Sequence, residues 1–269
     1  MTQDQWLTQY PSLRPLAELQ AVIDSIMDEI AIPQAEIPEW KNYREEFLAG
    51  IPLLLRGKPL VDLRDADGMI VLAAQKMASK QLPGELGHQS KTLAAELLEN
   101  QEFSFSPALW LLDNDSPQIS QPGLLRRLGW AVLTRYFSKL APAFKNWRDE
   151  DNWLRNYCPT CGSLPAMGQL VGIDPGRMRF LSCGCCSTLW RYRRTQCPFC
   201  ERDEHRLANY SVEGSPIRID YCESCKGYLK TYDGEGSGNL LLADWSSIHL
   251  DIVACDQGLK RFAESLYQL

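Results

Sequence analysis

The sequence predicts an α+β protein in which a helical N-terminal half precedes two small β modules held by cysteines, and three observations lead there. Between Cys158 and Cys225, eight of the ten cysteines form four C-x-x-C pairs. The pairs repeat: Cys158/Cys161 and Cys183/Cys186 recur 39 residues later as Cys197/Cys200 and Cys222/Cys225. The first 153 residues contain no cysteine, and their apolar residues recur mostly at helical spacing.

In the first half, a helix opening at Arg14-Pro15 puts Leu16, Leu19, Val22, Ile23, Ile26, Met27 and Ile30 on one face and ends before Pro33. A second runs from Pro38 through Trp40, Tyr43, Phe47 and Leu48 to Gly50, whose glycine suits a left-handed cap. Further helices fit Asp67 to Lys80, Glu85 to Asn100, and Pro122 to about Trp147 with a bend at Pro142. This is an all-α domain over residues 1–153, closed by the polar run Arg148-Asp149-Glu150-Asp151.

Beyond it, β-branched and aromatic segments alternate with cysteine turns: Arg177 to Leu181, Leu189 to Arg193, Arg218 to Tyr221 and Tyr228 to Tyr232. Gly172 to Gly176 and Glu213 to Pro216 supply turns within the two spacers. The first module therefore covers 154–194 and the second 195–233, followed by a tail, 234–269, that packs back on the protein with a last helix from about Gln257 to Tyr267.

Two cysteines separated by two residues can share one tight turn with both sulfurs inward, so two such turns offer four thiolates in a tetrahedron. In Cys158-Pro159-Thr160-Cys161-Gly162 the proline fixes the backbone and the glycine permits a positive φ that frees N–H groups to bond sulfur. Cys197-Pro198-Phe199-Cys200-Glu201 keeps the proline but lacks the glycine, which predicts a turn differing in detail. A tandem period favours local closure over cross-bracing: Cys158, Cys161, Cys183 and Cys186 for one ion, Cys197, Cys200, Cys222 and Cys225 for the other. The same offset aligns Cys185 with Ser224 and so assigns Cys186, not Cys185, as the ligand. Four cysteines suit zinc or a single iron, and a 2Fe–2S cluster takes the same set.

Other residues carry weaker signals. His205 lies near the third turn but is redundant beside a full cysteine set, and His88 and His249 are isolated. Cys255 reads as a small buried apolar residue. Arg191, Arg193 and Arg194 fit either a solvated strand or a surface for a partner's carboxylate or phosphate. No Ser-His-Asp set, Walker loop or dinucleotide-binding glycine fingerprint occurs, so no catalytic residues are assigned and the chain is read as a non-enzyme.

Composition bounds the partners. Residues 1–153 carry 15 Lys+Arg against 21 Asp+Glu, and residues 154–269 carry 13 of each. Four thiolates around a divalent ion add about −2 per site, which argues against nucleic acid as a partner. The N-terminal MTQDQWLTQY lacks a basic, then apolar, leader, and Ile51 to Leu55 is too short to span a bilayer, so a cytoplasmic protein without stable membrane insertion is expected. In that reducing compartment metal binding is favoured over disulfides or thioredoxin-like redox pairs.

The run Tyr157-Cys-Pro-Thr-Cys-Gly-Ser-Leu-Pro165, the run Arg179-Phe-Leu-Ser-Cys-Gly-Cys-Cys-Ser-Thr-Leu-Trp190, and Cys222-Glu-Ser-Cys-Lys-Gly-Tyr-Leu-Lys230 together resemble the FdhE family of formate dehydrogenase accessory proteins. So does Ala243-Asp-Trp-Ser-Ser-Ile-His-Leu-Asp251 in the tail. The resemblance covers roughly the last 110 residues and departs at the extra Cys185. It implies rubredoxin-like iron at the cysteine sites, and with the residues read above the expected fold is an all-α domain followed by two tandem rubredoxin-like or zinc-ribbon-type β modules. It also implies a cytoplasmic assembly factor that contacts the catalytic subunit of a respiratory formate dehydrogenase before twin-arginine export. The alternatives are a rubredoxin-like electron carrier, which leaves the helical half without a role, and a zinc-ribbon nucleic-acid binder, which needs a continuous basic face.

Overall fold

A six-stranded mixed sheet in the order β3-β2-β1-β6-β5-β4 dominates the C-terminal half of the computed structural model. The structure describes residues 7–8, 11, 14–33, 39–53, 63–100, 106–113, 119–144, 153–173, 176–202, 207–211, 215–234 and 240–263. Two compact units result, one from 1–35 with 61–139 and the other from 36–60 with 140–269.

The first unit is helical: α1 (Arg14–Asp28), α3 (Leu63–Ser79), α4 (Gly84–Asn100), α5 (Pro107–Asp113) and most of α6 (Pro122–Phe144). In α1 the expected face is turned inward, with Ile23, Ile26 and Met27 buried and Leu16, Leu19 and Val22 half-buried. The buried side of α3 includes Ala66, Met69, Ile70, Ala73 and Met77, an i, i+3, i+4 stripe. Asp67 Oδ1 accepts from Ala108 N at 2.8 Å and Ser106 Oγ at 3.0 Å, which fixes the start of α5. That short helix carries no signal strong enough to foretell it. The helix through Pro142 ends at Phe144, and the expected continuation to Trp147 lies outside the described residues, as do Pro38 and the polar run Arg148 to Asp151.

The second unit opens with a 3-10 turn, Trp40–Asn42, and α2 (Arg44–Leu48), two short pieces where one helix is expected. Gly50 takes φ 93, the left-handed conformation its glycine suggests. The strands follow: β1 (Pro165–Val171), β2 (Met178–Cys183), β3 (Leu189–Tyr192), β4 (Leu207–Ser211), β5 (Ile217–Cys222) and β6 (Tyr228–Asp233). Each repeat is a three-stranded antiparallel meander, and β5 lies 39 residues after β2 at both ends. The meanders fuse where β1 runs parallel to β6, Met167 opposite Lys230 and Gly168 opposite Thr231. A Cβ at Gly168 would come within 2.7 Å of Thr231 Oγ1 and 3.0 Å of Leu229 Cδ2, so glycine is what admits the seam. Two ribbons thus form one continuous sheet.

The tail returns to this sheet through α7 (Leu240–Ser246) and α8 (Ile248–Asp256). Leu250 and Ala254 of α8 pack with Ile217, Ile219, Tyr228 and Leu259 in a shared core. The helix expected from Gln257 is corrected: Gly258 takes φ 73, and the chain then runs non-helically, with Lys260 bridging to Gly227; residues 264–267 lie outside the described part. Gly258 stops α8 instead of sitting inside a helix. Among the described residues no helix is long and apolar enough to cross a membrane.

Candidate metal centres

The eight repeat cysteines gather into two groups of four, Cys158/Cys161/Cys183/Cys186 and Cys197/Cys200/Cys222/Cys225, and within each group all sulfurs lie within 4.8 Å of one another. Closure is local, each repeat with its own four. Sulfurs bound about 2.3 Å from one tetrahedral ion stand about 3.8 Å apart. The pairs Cys158–Cys186 and Cys161–Cys183 are at 3.5 and 3.4 Å, and Cys197–Cys225 and Cys200–Cys222 at 3.8 and 3.7 Å. Each group therefore has the size of a mononuclear site.

All four turns share one backbone form. The first cysteine's N–H donates to the carbonyl five residues on, to Ser163, Thr188, Arg202 and Gly227, at 2.8 to 2.9 Å. Its carbonyl accepts from the residue four on: Gly162, Ser187, Glu201 and Lys226. Each of those four has positive φ, 80 for Gly162, 57 for Ser187, 57 for Glu201 and 62 for Lys226. The turn at Cys197 thus keeps the geometry of the first despite lacking glycine, a correction to the difference expected there. The positive φ at this position goes with the return bond from the first cysteine's N–H to the carbonyl of the next residue, which all four turns make. Backbone N–H groups reach sulfur as the motif requires: Thr160 to Cys158 at 3.4 Å, Cys185 to Cys183 at 3.3 Å, Phe199 to Cys197 at 3.4 Å and Gly227 to Cys225 at 3.3 Å.

The surroundings differ between the two groups. All four cysteines of the first are buried, whereas Cys200 and Cys225 of the second are partly exposed. Residues 39–53 pack on the first turn: Leu53 N donates to Pro159 O at 3.0 Å, Tyr157 Oη to Gly50 O at 2.7 Å, and Phe47 stacks on Trp153 at 4.8 Å. Trp190, itself buried, donates from Nε1 to Arg155 O at 2.9 Å.

The thiols of the first group hydrogen-bond one another, Cys158 among them. Burial opposes ionisation there, yet hydrogen bonds from Cys161, Cys183 and Cys186 prevail and pull that thiol well below its ordinary value. Burial, then the hydrogen bond to Cys158, push Cys183 and Cys186 up. In the second group burial pushes Cys222 up, but the N–H groups of Cys225 and Ser224 bring it to about 7. Burial pushes Cys197 up. Such a set holds few negative charges alone, and a cation that displaces the remaining protons suits it.

Cys185 is buried but lies outside the tetrad, and burial pushes its thiol above the ordinary value. His205 falls outside the described residues, His88 is exposed on α4 and His249 half-buried on α8. Cys255 is exposed, a correction: Ala254 takes the inward position on α8, and the next residue turns to solvent. Arg191, Arg193 and Arg194 are all exposed. Sequence reasoning missed Asp244 and Asp251, which stand in the tail motif and clamp the buried Lys230 and Arg261 at 2.6 to 2.9 Å.

Residues 157–194 match the family model for the central domain of FdhE. An FdhE homologue of Stutzerimonas stutzeri is 30% identical over 264 residues, covering 92% of this chain and 78% of the relative. One from Aquifex aeolicus is 34% identical over 47% of this chain, and one from Pseudomonas aeruginosa 36% identical over 42%. Those two matches span about half or less of the relatives' own length, 49% and 39%. The crystal structure of the FdhE protein from Pseudomonas aeruginosa superposes with a TM-score of 0.65 over 97% of this chain and 88% of that one, at 23% identity, and so shares its fold. With paired four-cysteine turns, a matching central domain and a relative aligned nearly end to end, the chain belongs to the FdhE family.

Proposed function

We propose that the chain is a non-enzymatic accessory factor for a respiratory formate dehydrogenase, binding the immature catalytic subunit in the cytoplasm before twin-arginine export. The observation that carries this reading is the pair of four-sulfur groups built into one sheet. An ion held by four cysteines has no open position for a substrate, so the chemistry is left to the client. What the ions supply is rigidity: the knuckle loops cannot bury enough apolar surface to hold their shape alone. Loops fixed on such a scaffold are where recognition residues concentrate, and Arg191 to Arg194 connect the two groups. Membership of the FdhE family supports the choice of client.

The ligands proposed are Cys158, Cys161, Cys183 and Cys186 for one ion and Cys197, Cys200, Cys222 and Cys225 for the other. Iron is favoured by the family resemblance, and zinc fits the same donors. In a strain lacking the gene, formate oxidation should be lost while the catalytic subunit is still synthesised, and the tagged chain should co-purify with that subunit before export. Normal activity in that strain, with no recoverable complex, overturns the reading.

A second reading, electron transfer to a client, is favoured by the partial exposure of Cys200 and Cys225. It requires iron that cycles reversibly. A colourless protein holding two zinc ions, isolated from iron-replete cells, would exclude it and leave the assembly role standing.

A further inference from the structure

A cavity of about 460 Å³ opens on the sheet face opposite α7 and α8, beside the second cysteine group. Its wall carries four arginines, Arg177, Arg179, Arg194 and Arg218. Arg177 pairs with Asp233, and Arg218 with Asp220 at 2.8 Å. Arg179 differs. It is 4% exposed, donates from Nη1 to Gln196 O at 3.1 Å, and its Nε finds no acceptor. Among the described residues no carboxylate stands within ion-pair distance of it; Asp220 acts on it only at longer range. A buried guanidinium with no counter-charge in reach is costly, and on a cavity wall an entering anion offsets that cost.

The register explains how the arginines converge. Arg179 on β2 stands opposite Leu170 on β1, and Leu229 on β6 opposite Asp220 on β5, so these side chains share one face. The repeat equivalence of Arg179 and Arg218 places one arginine from each meander on that face. Arg194 reaches it from the link between the meanders, donating to Arg177 O at 3.4 Å. Leu170, Leu207, Leu229 and Phe199 supply apolar wall, and Asn209, Asp220, Cys197 and Cys222 also line the cavity. The cavity is in the size range that holds an organic ligand rather than a bare inorganic ion.

We propose that this cavity binds an organic oxyanion, its carboxylate or phosphate head on Arg179 and Arg194 and its apolar body on Leu170, Leu229 and Phe199. Guanidinium groups pair with such heads through two parallel N–H donors. The inference concerns a small ligand and stands or falls apart from client binding and from the identity of the metal.

The test is calorimetric titration of the full chain, metal-loaded as isolated, with phenyl phosphate, phenylacetate and inorganic phosphate at constant ionic strength. Saturable binding of one ester or acid, tighter than inorganic phosphate, is expected, and which of the two prevails identifies the head group. Arg179→Lys keeps the charge but not the fork, and Arg194→Gln changes an exposed side chain; each should weaken binding about tenfold or more. Arg191→Gln, on the other face of β3, should bind as the parent does. Should Arg179→Lys fail to fold, Arg194→Gln decides. Absence of saturable binding by phenyl phosphate and phenylacetate would mean that Arg179 only balances the neighbouring thiolates. Equal weakening by Arg191→Gln would reduce the effect to overall charge, and either result overturns the proposal.

Discussion

Lys230 Nζ lies 2.6 Å from Asp251 Oδ2, a bond that fastens β6 of the sheet to α8 of the tail. The lysine side chain is fully buried, and Asp244 Oδ1 takes a second position at 2.8 Å. Arg261 bonds the same two carboxylates and also Ala166 O at 3.3 Å, while Tyr228 Oη donates to Asp251 at 2.7 Å. Removing one cation leaves a buried carboxylate short of its partner. Lys230→Met should therefore destabilise the protein by about 3–5 kcal/mol, read by chemical denaturation of the metal-loaded form. Protease sensitivity should rise first across residues 240–263, whose attachment depends on that network.

This network marks the boundary of what the residues alone disclose. Metal-ligand pairs are legible because cysteine spacing is discrete and the 39-residue period leaves little choice of partners. Four strands are legible from β-branched and aromatic runs, but β1 reads Pro-Ala-Met-Gly-Gln-Leu-Val and β4 Leu-Ala-Asn-Tyr-Ser, neither with a clear alternation. Their placement comes from pairing, and the parallel seam of β1 with β6 joins residues more than sixty apart. In α8, Ile248, Ile252 and Val253 blur a helical pattern, so the helix is misplaced after Gln257. Nothing local to Arg179 tells of its burial, which follows from fusion of the two meanders.

Cys185 and Cys186 are adjacent and both buried, yet only Cys186 joins the tetrad. Cys186→Ser should lower the metal content from two ions per chain to one, with the second group still loaded. Cys185→Ala should keep both. Elemental analysis of the purified variants separates the outcomes, and loss of an ion from Cys185→Ala would reassign the ligand.

Exposure orders the two groups. With Cys200 and Cys225 reachable from solvent and all four cysteines of the first group buried, a chelator should strip the second ion first. Release followed with a chromogenic chelator should be biphasic, and Cys197→Ser should abolish the fast phase only. A single phase in the parent protein would show that the groups open together.

Glu29 at the end of the first helix bonds Lys76 and Lys80 at 2.8 and 2.9 Å. Hydrogen bonds from Lys76 and then Lys80 lower its carboxyl from 4.5 to about 2. A depressed carboxyl contributes stability above its unfolded value and loses that contribution as pH falls through the folded one. The contribution is therefore intact above about pH 5 and fades towards pH 2. Carboxyl titration by NMR should give a midpoint near the lowered value, and the double change Lys76→Gln with Lys80→Gln should return it towards the ordinary one.

Glu201 holds φ 57 at the place in its turn where Gly162 holds φ 80 in the first. A side chain in the left-handed region costs about 1–2 kcal/mol relative to the ordinary right-handed one, and glycine escapes that cost. Part of the gain is offset, because glycine has more freedom to lose on folding. The carboxylate itself is exposed, and the contacts that matter are backbone ones, Glu201 N to Cys197 O at 3.0 Å and Gln196 Nε2 to Glu201 O at 2.8 Å. Both survive Glu201→Gly. The variant should gain about 0.5–1 kcal/mol, a rise in Tm of about 1–4 °C, with the metal content unchanged. Glu201→Val, β-branched and poorly suited to positive φ, should instead lower Tm and speed chelator removal of the second ion. Equal melting of parent, Gly and Val variants would mean that the turn does not hold this residue left-handed in solution.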